Sequence, residues 1–238
     1  MSKRQEIRER RRREQRQRRM ITLGIIVGVA LIFTALLIWP NFAPIGDIVI
    51  PPAREFPQAD GVVFGDPDAP VLIEDYSDFQ CSFCRQFHET TLNQIVSTYV
   101  VNGQVQFAFR QYPFLGEESL MAANASLCAA EQNKFWEYAD ILFANQTGVN
   151  ARVYTSRRLD AFAEAIGLEV NQFSACLKEK RYEAQVQSDY ADGRANGVQS
   201  TPSFFINGEA LVGAVEFPAF QNLIDAALEQ AGTSVIQN

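Results

Sequence analysis

One histidine and four cysteines are all that this 238-residue chain offers a soft metal ion. Cys81 and Cys84 form one close pair, His88 follows four residues later, and Cys128 and Cys176 stand isolated from each other. A structural zinc ion takes four nitrogen or sulfur ligands, so the pair lacks two partners and no specific metal site is legible. Cations become scarce once the first 39 residues are set aside. The remainder carries 11 Lys and Arg against 25 Asp and Glu, a net charge of −14. Phosphate backbones are held by clustered cations, so this part has no electrostatic means of holding nucleic acid. It is also kept off an anionic membrane surface. No internal repeat occurs, and no low-complexity tract beyond the basic head.

That head is the exception. Residues 2–19, SKRQEIRERRRREQRQRR, hold ten Lys and Arg against three Glu, and residues 20–39, MITLGIIVGVALIFTALLIW, hold no charge. Twenty helical residues span roughly 30 Å, the thickness of a bilayer's hydrocarbon core. Thr22 and Thr34 can return their hydroxyls to the helix backbone. A soluble helix would show a polar face. A cleaved signal peptide would have an apolar region of about 7–15 residues and a small-residue cleavage site, whereas this run ends in Trp39-Pro40. The reading is an uncleaved single-pass anchor at residues 20–39, with the lipid bilayer as its partner. By the positive-inside rule residues 1–19 are cytoplasmic and everything after Trp39 is extracytoplasmic.

Residues 40–61 carry prolines at 40, 44, 51, 52 and 57. They form either a semi-rigid spacer or a segment packed on the following domain, with DIVI (47–50) as an edge strand. Residues 62–232 suffice for one domain with its own core, leaving 233–238 as a tail. Strands are expected at 71–76 and 105–110, with a helix from Ser82 to about Val100 between them. Helices are expected at 117–131, 133–145, 155–166 and 170–194. SFFI (203–206), Asn207-Gly208 and ALVG (210–213) read as a hairpin, and 217–231 as a last helix. The order β-α-β, helical block, β-β-α gives an α/β mixed sheet flanked by helices, with a helical insertion at about 115–195. Phe135, Trp136, Tyr138 and Phe143 read as core of that insertion, not as a ligand cage.

Outside the cytoplasm, paired cysteines are normally oxidised. A Cys-x-x-Cys loop is a poor staple, because so short a loop removes little unfolded-chain entropy. Redox chemistry remains. Cys81 precedes a helix, whose free N–H groups stabilise a thiolate, while Cys84 lies on the apolar side of its first turn. One sulfur is placed to attack and the other to resolve.

Three stretches carry a resemblance: EDYSDFQCSFCRQFHE (74–89), EQNKFWEYADILFANQ (131–146) and GVQSTPSFFINGEALVGA (197–214). Together they resemble the thioredoxin-fold disulfide oxidoreductases of the DsbA type, in membrane-anchored or exported bacterial form, over about 62–232. The resemblance implies that Cys81 is the nucleophile whose disulfide with Cys84 passes to substrate thiols. It implies a cis bond at Thr201-Pro202 that frees the Thr201 backbone to pair with an extended substrate. It also implies that Asp75, under the active site, relays the resolving cysteine's proton, with Glu74 on the opposite strand face. His88, one turn beyond Cys84, is a candidate for tuning that proton and equally a packing histidine. The resemblance departs between the cysteines. The best-known strongly oxidising members carry Pro-His there, and this chain has Ser82-Phe83. Ser82 can donate a hydrogen bond to sulfur but Phe83 brings no charge, so strong oxidising power is not implied.

Cys128 and Cys176 lie on two helices of the insertion whose faces can pack together, which points to a structural disulfide rather than two buried thiols. The reading that follows is a tethered extracytoplasmic thiol–disulfide oxidoreductase. It oxidises thiols of exported proteins, needs no cofactor beyond its redox disulfide, and is reoxidised by a membrane quinone-linked thiol oxidase as the family implies. The alternatives are a reductase or isomerase of the same fold, and a non-catalytic tethered peptide-binding or chaperone module.

Overall fold

The computed structural model describes residues 3–42 and 44–236; the ends of the expected basic segment and tail, residues 1–2 and 237–238, lie outside them. The chain divides into two units, residues 1–46 and 47–238. The first is built on one helix, α1 (Lys3–Phe42), which continues through Pro40 beyond the expected end of the span. Within it, Gln15–Leu37 is long and apolar enough to cross a membrane. The Thr22 hydroxyl donates to the Arg18 carbonyl at 2.9 Å, and that of Thr34 to Ala30 at 2.8 Å. Both hydroxyls are thereby satisfied within the helix.

The second unit is organised by a five-stranded sheet in the order β1-β3-β2-β4-β5. Strands β2 (Val71–Ser77) and β3 (Val105–Gln111) run parallel, and the other pairs are antiparallel. A parallel pair needs a crossover, which α2 (Ser82–Glu89), α3 (Thr91–Ile95) and a π-helical segment (Val96–Val100) supply. Strands β4 (Ser203–Ile206) and β5 (Glu209–Val212) form the hairpin. Its turn residues Asn207 and Gly208 both have positive φ, 47° and 89°, as a type I′ turn requires. The Asn207 side chain also accepts from the Leu72 N–H and donates to the Pro70 carbonyl, pinning the turn to the start of β2. Strand β1 (Val63–Phe64) was missed in the sequence, since two residues show no periodicity.

Two expected helices are broken. The one from Ser82 stops at Thr90 (φ −121°, ψ −75°) and restarts. At this break the His88 carbonyl accepts a hydrogen bond from Arg54 Nη1 at 2.8 Å. The expected helix 170–194 is two, separated at Lys180 in a left-handed conformation (φ 50°). There the Arg181 N–H returns to the Cys176 carbonyl, and the Arg181 guanidinium pairs with Glu131. Neither break carries Gly or Pro, so neither was legible.

The insertion comprises α4 (Glu117–Ala130), α5 (Phe135–Ala144), α6 (Ser156–Ala165), α7 (Val170–Lys178) and α8 (Glu183–Ala195); α9 (Phe217–Ile236) follows β5 and extends into the segment read as a tail. A disulfide joins Cys128 on α4 to Cys176 on α7. The aromatic stripe is buried, but it forms the seam between insertion and sheet rather than the core of the insertion alone. Trp136 meets Phe64 edge-on at 4.6 Å, and Phe135 meets Phe109 at 5.4 Å. Residues 47–57 lie on the domain and DIVI forms no strand. Instead the Asn145 side chain brackets Val49, accepting from its N–H and donating to its carbonyl, and Phe56 stacks on Trp136. On α8, a Cβ at Gly193 would come within 2.8 Å of both Tyr76 and Tyr112.

Replacing Cys128 and Cys176 together by Ala is expected to lower unfolding free energy by about 4 kcal/mol, the chain-entropy value for a loop of this length. Gly193→Ala is expected to cost about 1–3 kcal/mol through overpacking. Denaturant midpoints of the variants check both.

Candidate active site

Strand β2 delivers the chain to a turn, Asp78–Gln80, and then to Cys81, the residue that begins α2. The turn is held from several sides. The buried Asp78 carboxylate accepts from the N–H groups of Gln80 (2.8 Å), Phe114 (3.0 Å) and Leu115 (3.1 Å), and from the Ser119 hydroxyl (2.7 Å). Its carbonyl accepts from the Cys81 N–H at 2.9 Å. The next carbonyl, that of Phe79, accepts from Gln146 Nε2 and from the Tyr154 hydroxyl. Sequence reading missed Asp78, because an aspartate three residues before a cysteine looks like any loop acid.

Cys81 and Cys84 are both thiols in this structure. Cys81 keeps 8% of its surface exposed and Cys84 only 1%, and that difference separates their chemistry. Cys81 is brought down to about 6, first by a hydrogen bond from the Cys84 thiol, against burial, with help from Thr201 and the N–H groups of Cys84 and Phe83. Cys84 is pushed well above its ordinary value by burial and by the neighbouring Cys81 and Asp75. At pH 7 the first sulfur is therefore mostly thiolate and the second a thiol. When protonated, Cys81 donates to the Thr201 carbonyl at 3.3 Å, and the Thr201–Pro202 peptide bond is cis. The Thr201 hydroxyl is buried on the same side of the sulfur. Between the cysteines, Ser82 is exposed and the Phe83 ring stands 60% in solvent.

Asp75 occupies β2 beneath this turn, paired in register with Phe109 on β3 and Phe204 on β4. Burial raises its carboxyl to about 7, although the Ser77 hydroxyl donates to it at 2.5 Å. Glu74, on the other face, is half-buried against Arg110 at 2.7 Å. The structure thus brings Cys81, Cys84, Asp75 and Thr201-Pro202 into one site. It sends His88 elsewhere: the ring contacts Asp140 Oδ1 at 2.6 Å and Arg54 Nη2, and packs on Phe143. Burial depresses His88, so the ring is neutral at pH 7. Burial also pushes Asp140 up, but hydrogen bonds from His88 and Arg54 outweigh it and hold the carboxyl below its usual range. Among the described residues, no three His, Cys, Asp or Glu converge as a metal site would require.

The family profile described as Thioredoxin matches residues 58–226. A probable disulfide bond formation protein D from Bacillus anthracis is 26% identical over 216 residues, covering 89% of this chain and 98% of that protein. Among solved structures, oxidised BdbD from Bacillus subtilis aligns with a TM-score of 0.67 at 22% identity, covering 77% of this chain and all of that one. Wolbachia pipientis alpha-DsbA1 aligns at 0.66 and 24% identity, covering 76% and 96%.

Removing Arg54 leaves the Asp140 carboxylate and the His88 carbonyl without their cation, and uncompensated buried charge is costly. Arg54→Ala is expected to lose about 3 kcal/mol in denaturant unfolding, with Asp140→Asn restoring part of it in the double variant. Asp75 has the opposite sign. Its folded pKa lies above the unfolded value, so its contribution is fully present below about pH 4 and is lost as pH rises through about 7. The stability of Asp75→Asn is expected to fall less between pH 4 and 8 than that of the wild type.

Proposed function

The chain belongs to the thioredoxin family as a DsbA-type thiol–disulfide oxidoreductase, and on that footing we propose that it oxidises the thiols of exported proteins from a membrane tether. The single observation that carries this reading is the asymmetry of the two sulfurs, one nearly buried thiolate at a helix start and one thiol fully buried behind it. In the oxidised enzyme a substrate thiolate attacks Cys81 Sγ. The Cys81–Cys84 bond breaks, a mixed disulfide forms, and Cys84 leaves with the bond's electron pair. A leaving sulfur of high proton affinity needs a proton. Asp75, with a carboxyl raised to about 7, is suited to supply it at neutral pH. A second substrate thiolate then attacks the substrate's own sulfur and expels Cys81, whose low pKa makes it a good leaving group. Two electrons have passed to the pair and the substrate holds a disulfide.

The cis-proline loop supports substrate alignment, since the Thr201 carbonyl faces Cys81 and offers an extended chain a pairing edge. Residues 20–39 act as the anchor, with the basic segment on the cytoplasmic side. The acidic catalytic domain is then extracytoplasmic, where a disulfide donor has its substrates. A membrane quinone-linked thiol oxidase takes the two electrons back. No cofactor beyond the cysteine pair enters this cycle.

Cys84→Ser is expected to accumulate mixed disulfides through Cys81 in exporting cells, and Cys81→Ser to abolish them. A Cys84→Ser protein that traps nothing would mark a binding module. The reduction potential of the pair, equilibrated with glutathione, is expected above thioredoxin's about −270 mV; a value at or below it supports the reductase or isomerase instead. Asp75→Asn is expected to slow Cys84-linked exchange about tenfold and to remove the inflection near pH 7 from its rate profile.

A further inference from the structure

Two adjoining clefts open in the surface of the second unit and share Phe114 and Tyr190 in their walls. One, of about 370 Å³, is lined by Tyr112, Phe114, Tyr190, Arg194, Val198 and Gln199. The other, of about 260 Å³, continues past Phe114 to Leu120 and Val186. Both walls of the first cleft are tied to the reactive turn. On one side, Phe114 donates its N–H to the Asp78 carboxylate, whose own carbonyl receives the Cys81 N–H. On the other, Val198 and Gln199 lie three and two residues before Thr201, whose carbonyl is 3.3 Å from Cys81 Sγ. Three residues of extended chain reach about 10 Å, so the cleft opens within a few residues of the sulfur. The walls are also tied to each other, because the Tyr112 hydroxyl donates to the Val198 carbonyl at 2.8 Å.

The lining has a definite character. Tyr112 stacks obliquely on Tyr190 at 4.7 Å and on Phe114 at 5.8 Å. Phe114 leaves 42% of its surface in solvent. Arg194 is exposed and lies near Tyr190. No acidic residue lines either cleft. In a part of the chain with a net charge of −14, this is a local reversal of sign set into an aromatic wall.

We propose that these clefts are the selectivity subsite for the substrate, receiving an extended polypeptide that carries a large apolar side chain and a carboxylate within two to four residues of its reactive cysteine. The inference rests on the redox reading of Cys81 and names what that reading leaves open, the class of chain it prefers. The apolar side chain covers Phe114, and the carboxylate meets the Arg194 guanidinium. Gln199 in the cleft wall lies two residues before the Thr201 pairing edge, so binding there brings the substrate sulfur toward Cys81. A charge on the rim chiefly sets capture rate and choice of partner, so the signature is kinetic.

The test uses the full chain in detergent, with its Cys81–Cys84 disulfide formed, and synthetic single-cysteine peptides. One set carries Phe and Glu two to four residues from the cysteine, on either its N-terminal or its C-terminal side; the matched set carries Phe and Lys. Exchange rate constants are read for each, with dithiothreitol as a small uncharged reductant of the wild type. The wild type is expected to prefer the Glu peptides by about threefold or more, the scale of exposed ion pairs. Arg194→Glu is expected to invert that preference, Arg194→Lys to keep it, and added salt to flatten it. Phe114→Ser should lower the rates of both Phe-containing sets, while leaving their ratio in place. Equal rates for Glu and Lys peptides in wild type and Arg194→Glu, with normal dithiothreitol reduction, overturn the subsite alone. A wild type that dithiothreitol reduces but no peptide does, or an Arg194-dependent self-association of the chain, also overturns it. Failure with dithiothreitol as well would instead remove the redox reading beneath it.

Discussion

The Asp78 carboxylate accepts four hydrogen bonds from three separate stretches of chain: its own turn, the loop after β3, and the first turn of α4. A buried carboxylate left without donors would cost several kcal/mol, so these segments are held to one mutual arrangement. Everything at the site depends on it. The carbonyl of the same residue fixes the Cys81 N–H, and therefore the angle at which α2 leaves the sheet. The Phe114 and Leu115 N–H groups tie the aromatic wall to the same carboxylate. Fold and insertion meet at one anion.

Three buried carboxylates in this domain illustrate how surroundings assign work. Asp140 is met by Arg54 and His88 and stays ionised. Asp78, though its oxygens are well supplied with donors, has no cation and is raised by burial. Asp75 has only the Ser77 hydroxyl, and burial takes it to about 7. A carboxyl that exchanges its proton at neutral pH suits chemistry, whereas the paired one suits architecture. The same contrast separates the sulfurs. Cys81 borrows hydrogen bonds from the helix start and from Cys84, while Cys84 sits where a charge would have no solvent and two negative neighbours.

Arg54 shows how a segment whose sequence allows either a spacer or a packed strap becomes part of the catalytic domain. Proline at 51, 52 and 57 keeps the backbone extended, which leaves it unable to satisfy its polar groups internally. Side chains of the domain do so instead: Asn145 takes Val49, and Arg158 reaches the Asp47 carbonyl. In return Arg54 reaches into the break after α2, to the His88 carbonyl and the Asn93 side chain, and caps the helix that begins with Cys81.

Local chemistry determined much of this protein by itself. The charge-free run of residues 20–39, the Cys-x-x-Cys before an amphipathic helix and the Asn207-Gly208 turn are each written in adjacent residues, since helical period, macrodipole and positive φ act over a few positions. The strands at 71 and 105 followed from the same local periodicity. Tertiary structure decided the rest. The interruption at Thr90 is met by Arg54, 36 positions earlier, and the one at Lys180 by Glu131, just past the end of α4. His88 was drawn from the cysteines by Asp140, and the aromatic stripe became a seam because β1 and β3 presented Phe64, Phe107 and Phe109 to it. Desolvation and ion pairing are properties of whatever fills the surrounding space. No stretch of sequence contains its own surroundings, so the proton affinities of Cys81, Cys84 and Asp75 existed only once the chain had folded.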